Sequence, residues 1–96
     1  MPTYVVLGNW TAEGVRAVRD SPARGEAFRK AVESAGGRVV QLLYTMGPHD
    51  FVTMLEFPSD EAANAALLKA GAQGYARTVT LKGWTPAEFR EILAKL

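Results

Sequence analysis

A two-layer α+β domain is what this sequence predicts, and three observations carry it. Short strand-like runs alternate with helix-like runs in the order β-α-β-β-α-β, followed by a last helix. The β-α-β order recurs in two halves, each crossover passing through a helix. Glycine, proline or capping residues stand at nearly every junction. This order is the split-βαβ, ferredoxin-like pattern: a four-stranded antiparallel sheet with both long helices on one face, plus an extra C-terminal helix, in one domain over residues 1–96.

The first strand is Thr3 to Asn9. Tyr4, Val5, Val6 and Leu7 are apolar in succession, so both faces of the strand call for burial, as in the middle of a sheet. Thr11 then caps a short helix through its hydroxyl. Gly14 weakens that helix and leaves Val15 and Val18 as its expected buried side. Ser21 as N-cap and Pro22 at the first helical position start a longer helix. Ala23, Ala27, Phe28, Ala31, Val32 and Ala35 recur at helical spacing, with Arg24, Glu26, Arg29, Lys30 and Glu33 on the polar side. Glu26 and Lys30, four apart, suit an ion pair. Gly36-Gly37 ends the helix.

The second strand, Arg38 to Tyr44, again loads both faces. The third, Phe51 to Phe57, alternates: Phe51, Thr53, Leu55 and Phe57 on one face, Val52, Met54 and Glu56 on the other. Pro58 stops it. Ser59 or Asp60 caps an alanine-rich helix around Leu67 and Leu68. The fourth strand, Tyr75 to Gly83, puts Tyr75, Arg77, Val79 and Leu81 on one face and Ala76, Thr78, Thr80 and Lys82 on the other, a more polar mixture suited to a sheet edge. Thr85-Pro86-Ala87-Glu88 is a capping box, and Phe89, Ile92, Leu93 and Leu96 form an apolar stripe behind it.

With helices on one face only, the other face of the sheet is bare in a monomer although it carries apolar residues. An exposed apolar surface of that kind drives association, so a sheet-to-sheet homodimer or higher homo-oligomer is expected, with the last helix covering part of that face or clasping the partner.

Composition excludes several functions. Eleven basic and ten acidic residues give a net charge of +1, too balanced for a nucleic-acid footprint. There is no cysteine and a single histidine, so neither thiolate chemistry nor a multi-histidine metal site is available within one chain. No cofactor is expected. The N-terminus lacks a signal-peptide pattern, and no apolar run approaches the ~20 residues that span a bilayer. A cytoplasmic, non-membrane protein is the expectation. Gly36-Gly37-Arg38 precedes a strand and is no phosphate loop, and no serine stands at a strand-to-helix elbow.

What remains is the joint between the second and third strands, Thr45-Met46-Gly47-Pro48-His49-Asp50. His49 and Asp50 suit acid–base work, since histidine titrates near neutrality and a carboxylate orients its ring. Turn chemistry accounts for them more simply: Gly47-Pro48 shapes the bend and Asp50 accepts from backbone N–H groups. Arg77, among Val79 and Leu81, suits an anionic ligand or simply reaches solvent. Tyr4, Trp10, Tyr44, Tyr75 and Trp84 line either a cavity or the core and an interface. The ligand-binding candidates are therefore His49, Arg77, Tyr44, Trp10 and Trp84, and the catalytic candidates His49 and Asp50.

The segments MPTYVVLGNWTAEGVRAVRDSPAR, TMGPHDFV and ARTVTLKGWTP, with the alanine-rich and terminal helices, resemble the GYD-domain family over nearly the whole chain. Gly47-Pro48-His49-Asp50 stands where that family has G-x-Y-D, with His49 in the tyrosine's place. The resemblance implies a ferredoxin-like fold of the dimeric α/β-barrel kind and brings no established activity. A similar hairpin marks the effector-binding domains of Lrp/AsnC regulators, which bind small metabolites between subunits, and cofactor-independent monooxygenases share the barrel. The leading reading is a non-enzymatic, oligomeric small-ligand-binding or structural module. The alternative is a small monooxygenase- or isomerase-like enzyme using His49 with Asp50 or Arg77.

Overall fold

A computed structural model describes residues 1–96. The elements run β1 (Thr3–Trp10), α1 (Ala12–Arg16), a 3₁₀ turn (Val18–Asp20), α2 (Ser21–Ser34), β2 (Arg38–Tyr44), β3 (Phe51–Glu56), α3 (Asp60–Gly71), β4 (Ala76–Gly83) and α4 (Pro86–Leu93). The sheet has the order β2-β3-β1-β4 with every neighbouring pair antiparallel, the ferredoxin-like topology.

The barrel implied by the resemblance is not formed. The sheet is open, with β2 and β4 as free edges. Closure needs strand tilt and stagger around about eight strands to leave an interior that side chains can fill, and this chain supplies four.

The core lies between the sheet and helices α2 and α3. Tyr4, Val6, Val32, Val39, Leu55, Phe57 and Ala63 form it, with Leu55 and Phe57 wholly inaccessible. Tyr4 meets Phe57 edge to face, ring centroids 6.2 Å apart. A bulge in β2 at Val40 explains how this strand feeds the core. It shifts the register between Val39 and Gln41, so Val39, Leu42 and Tyr44 all turn to the helix side opposite Leu55, Thr53 and Phe51. Strict alternation would have put Val39 and Leu42 on opposite faces.

Four helical expectations need correction. In α1, Val15 is 58% exposed and Val18 beyond it is exposed too, while Gly14 is buried. A Cβ on Gly14 would stand 2.0 Å from the Tyr75 carbonyl oxygen, so only glycine lets α1 lie against the start of β4. In α2 the inward row is Ser21 and Val32, both buried, with Gly25 and Phe28 half-buried between them, whereas Ala23, Ala27, Ala31 and the C-cap residue Ala35 are exposed. A Cβ at Gly25 would lie 2.7 Å from the Tyr44 hydroxyl, which makes the helix approach the sheet along its smallest residue. Ser21 is inside this helix and buried, with Asp20 at the N-cap position. Glu26 pairs with Arg29 at 3.7 Å instead of Lys30.

Other local expectations hold. The Ser59 hydroxyl accepts from Ala62 N at 3.2 Å. Thr85 and Glu88 form the reciprocal capping box, at 2.8 and 3.2 Å. The α4 stripe, however, is only lightly covered: Ile92 is partly buried, Phe89 and Leu93 are half exposed, and α4 has no extensive contact with any other element. The molecule is accordingly long, 48 × 30 × 18 Å, with a radius of gyration of 14.3 Å, where a compact chain of this size has about 12.5 Å.

Candidate binding site

The joint after β2 is a docked turn. Gly47, at φ 113°, supplies the conformation that other residues avoid. Asp50 fixes the turn to β1: its Oδ2 accepts from Trp10 N at 2.8 Å, and its backbone N–H donates to Gly8 O at 2.8 Å. Thr45 closes the turn from the other side, its N–H donating to Asp50 O and its hydroxyl to His49 O. The carboxylate therefore serves one backbone donor, and that donor lies 40 residues away on β1 and outside the turn.

His49 turns to Asn9. Its Nδ1 lies 2.9 Å from Asn9 Oδ1, while Asn9 Nδ2 donates to Pro48 O at 2.8 Å. Because that oxygen only accepts, Nδ1 carries a proton and Nε2 is the remaining site on the neutral ring. No hydrogen bond joins His49 to Asp50. Arg77 stands opposite Asn9 in the β1–β4 register, is exposed, and makes no ion pair. His49, Asn9 and Arg77 are thus neighbours at one end of the sheet. Trp84 lies beyond the other end of β4, roughly 25 Å away along the strand, and takes no part in the same site.

Trp10 and Tyr44 belong to a different place, a cavity on the helix side of the sheet. The Trp10 ring stacks near Tyr44 (6.3 Å between centroids) and Phe51 (5.1 Å). The Tyr44 hydroxyl donates to Ser21 O at 3.1 Å. Val6, Phe28, Leu42 and Leu67 complete the apolar wall, and the void measures about 120 Å³. Its one charged lining residue is Arg24, whose guanidinium sits 4.4 Å from the Tyr75 ring centroid and 5.9 Å from that of Trp10. The sequence pattern puts Arg24 on the polar side of α2; the structure turns it inward, where it donates to Ala17 O at 3.0 Å and Ser21 Oγ at 3.3 Å. The one signal available was its place three residues after a serine that the helix buries.

A second polar cluster, near the Trp84 end, holds α3 to the sheet. The Tyr4 hydroxyl donates to Asp60 Oδ1, and Lys82 Nζ lies 2.9 Å from the same oxygen. Burial and, next, the bond to Asp60 push the Tyr4 hydroxyl up to about 12. The Tyr4 hydrogen bond, then Lys82, holds the Asp60 carboxyl below the usual carboxylate range.

The opposite face of the sheet is bare. Leu43, Val52, Met54, Val5, Leu7, Val79 and Leu81 point away from the helices on all four strands, consistent with the cross-strand pairs Leu43–Val52–Leu7–Val79 and Met54–Val5–Leu81. Leu43 and Val79 are more than half exposed. An Arg38–Glu56 ion pair at 3.0 Å borders this patch at one end and Arg77 at the other.

No group of three or more His, Asp or Glu side chains converges to hold a metal ion, and no helix is long and apolar enough to cross a membrane. An open antiparallel sheet with both long helices on one face and a bare apolar face on the other places the molecule among small α+β proteins of ferredoxin-like topology. Its sequence then assigns it more closely. The chain belongs to the GYD domain family, whose model matches residues 4–93. It is 31% identical over 83 residues to a glutamine synthetase and cystathionine beta-lyase binding protein of Thermus thermophilus, covering 85% of this chain and 87% of that one. The crystal structure of TTHA0845 from the same organism is similar in fold, with a TM-score of 0.55 and 21% identity, covering 88% of this chain and 95% of that one.

Proposed function

We propose that the protein is a non-enzymatic binding module that works as a self-associated pair, joined through the open face of its sheet. The observation that carries this reading is the apolar surface on all four strands. A stable interface buries about 800 Å² per partner. Four strands ~4.8 Å apart and about six residues long present only ~400 Å² in projection. Side-chain relief adds to that, and the lightly covered stripe of α4 supplies the rest by reaching onto the second copy. A pair presents every remaining surface twice, which favours partners that themselves carry repeated sites. The Thermus relative, a binding protein of two enzymes by name, supports a protein-binding role over catalysis. So does the placement of His49 and Asp50, whose side chains serve Asn9 and the Trp10 backbone instead of each other.

Size-exclusion chromatography with light scattering tests the reading. The wild-type chain should elute as a pair at micromolar concentration, and Leu43→Glu with Val79→Lys should give a folded monomer, because both side chains are exposed on the face of the sheet away from the core. A monomeric wild type overturns it.

A further inference from the structure

We infer that the cavity on the helix side of the sheet is a binding site for a small hydrophobic monocarboxylate. It faces away from the surface assigned to self-association, so the two readings stand or fall separately. The walls are apolar and aromatic, and 120 Å³ exceeds what a single water needs roughly tenfold. That is room for a body of about one aromatic ring. The charge comes from Arg24 alone. Asp and Glu are absent from the lining, and Arg24 takes part in no ion pair anywhere in the molecule. Two of its five N–H groups are used, by Ala17 O and Ser21 Oγ, which leaves three donors for a ligand.

Its setting also fixes its geometry. Stacking on Tyr75 and the two hydrogen bonds hold the planar fork at the cavity mouth, so little side-chain entropy is lost when a carboxylate arrives. Gln73 and Thr78 line the same mouth and add neutral hydrogen-bonding groups. One fixed guanidinium with neutral helpers matches a planar, singly charged head. A phosphate, with nearly two charges and a stronger hold on water, needs more cationic donors than this mouth offers. The apolar body enters between Phe28, Phe51 and Leu67, where its burial supplies the non-directional part of the affinity.

The two tryptophans make the test direct, since Trp10 lines the cavity and Trp84 lies beyond the far end of β4. Phenylacetate is titrated into the full-length, ¹⁵N-labelled protein while both indole N–H signals are followed by NMR. The Trp10 signal should shift saturably and the Trp84 signal should stay in place. 2-Phenylethanol, with the same ring and no charge, should bind at least about tenfold more weakly, as the loss of a charge-assisted contact predicts. Arg24→Gln should lose phenylacetate binding to a similar degree. Should that variant unfold, Arg24→Lys, which keeps charge without the fork, should show an intermediate loss, and the alcohol comparison on wild-type protein already isolates the charge. No saturable shift at Trp10, equal shifts at both indoles, equal affinity for the alcohol, or an equal response to inorganic phosphate overturns the inference.

Discussion

Replacing Gly8 by alanine tests how closely the sheet and the cavity wall are fitted. Gly8 faces Phe51 across the β1–β3 ladder, and the Phe51 ring lies over it. A Cβ on Gly8 would stand 2.0 Å from Phe51 Cζ and 2.3 Å from both Cε atoms. The ring must move by well over an ångström, and Trp10, centred 5.1 Å away, blocks one direction. Two effects compete. Alanine restricts the unfolded chain and favours the strand by about 0.5–1 kcal/mol. Overpacking of a fitted contact costs about 1–3 kcal/mol. The clash should win, for a net loss of about 1–2 kcal/mol, or roughly 5–15 °C in melting temperature for a domain of this size. Urea unfolding at fixed protein concentration measures it, and a double-mutant cycle identifies the cause. Phe51→Leu removes the atoms that collide, so Gly8→Ala should be nearly harmless in that background, with a coupling energy above about 0.5 kcal/mol. A Gly8→Ala protein as stable as wild type, or strictly additive losses, would refute the assignment of Phe51 as the obstacle.

Asp50→Ala should cost about 1–3 kcal/mol in urea unfolding, because it strands the Trp10 N–H that the carboxylate satisfies, whereas His49→Ala should cost less; equal losses would contradict the anchoring role of Asp50. Asp60 titrates below its unfolded value, so its contribution is present above about pH 4 and disappears as the pH falls through the folded pKa. Asp60→Asn should therefore flatten the acid limb of a stability–pH curve. The Tyr4 phenol has the opposite sign: raised to about 12, it stabilises fully below pH ~10 and loses that contribution as the pH climbs toward 12. Tyr4→Phe should abolish the alkaline loss, and a spectrophotometric titration of wild type should show one tyrosine ionising late. Thr85→Ala breaks the α4 capping box at about 1 kcal/mol of helix stability. Because α4 is only lightly packed in the single chain, that loss should appear as weaker self-association in light scattering, with little change in the core's unfolding.

The fold was legible because its signals are local. Alternation in Phe51–Phe57, the Thr85–Glu88 capping box and the glycine punctuation each act within a few residues, and the order of elements then leaves few topologies. The bare sheet face was legible for the same reason: Val5, Leu7, Val52 and Met54 sit between core residues on β1 and β3, and helices on one side cannot cover them. What was hidden depends on close approach between distant segments. Nothing near Gly14 in sequence indicates Tyr75, so Val15 and Val18 looked like the better buried face. The alanines of α2 spread over too wide an arc for composition to say which edge meets the sheet, and the answer is set by Gly25 against Tyr44. The candidate site residues divided for a related reason. Trp10, Tyr44, His49, Arg77 and Trp84 share chemistry but lie on two faces and at two ends of one sheet, and strand parity separates Trp10 from Arg77 even though Ala76, beside Arg77, is paired with it.

The same parity places the two surfaces proposed for binding on opposite sides of one small sheet. Along β1 the helix side carries Tyr4, Val6, Gly8 and Trp10, and the open side carries Val5, Leu7 and Asn9. Only 11 of 96 residues are buried. Two features limit that number, and they coincide with the two surfaces. The cavity removes packing between α2, α3 and the sheet, and the open face leaves Leu43, Met54, Val79 and Leu81 exposed. Filling either one adds burial to the native state and none to the unfolded chain, so each ligand or partner raises stability by mass action. A chain built this way is under-packed at the two places proposed for binding. The incomplete core, the exposed sheet and the projecting α4 are therefore consequences of one arrangement: a one-sided helix layer over a sheet that is apolar on both faces.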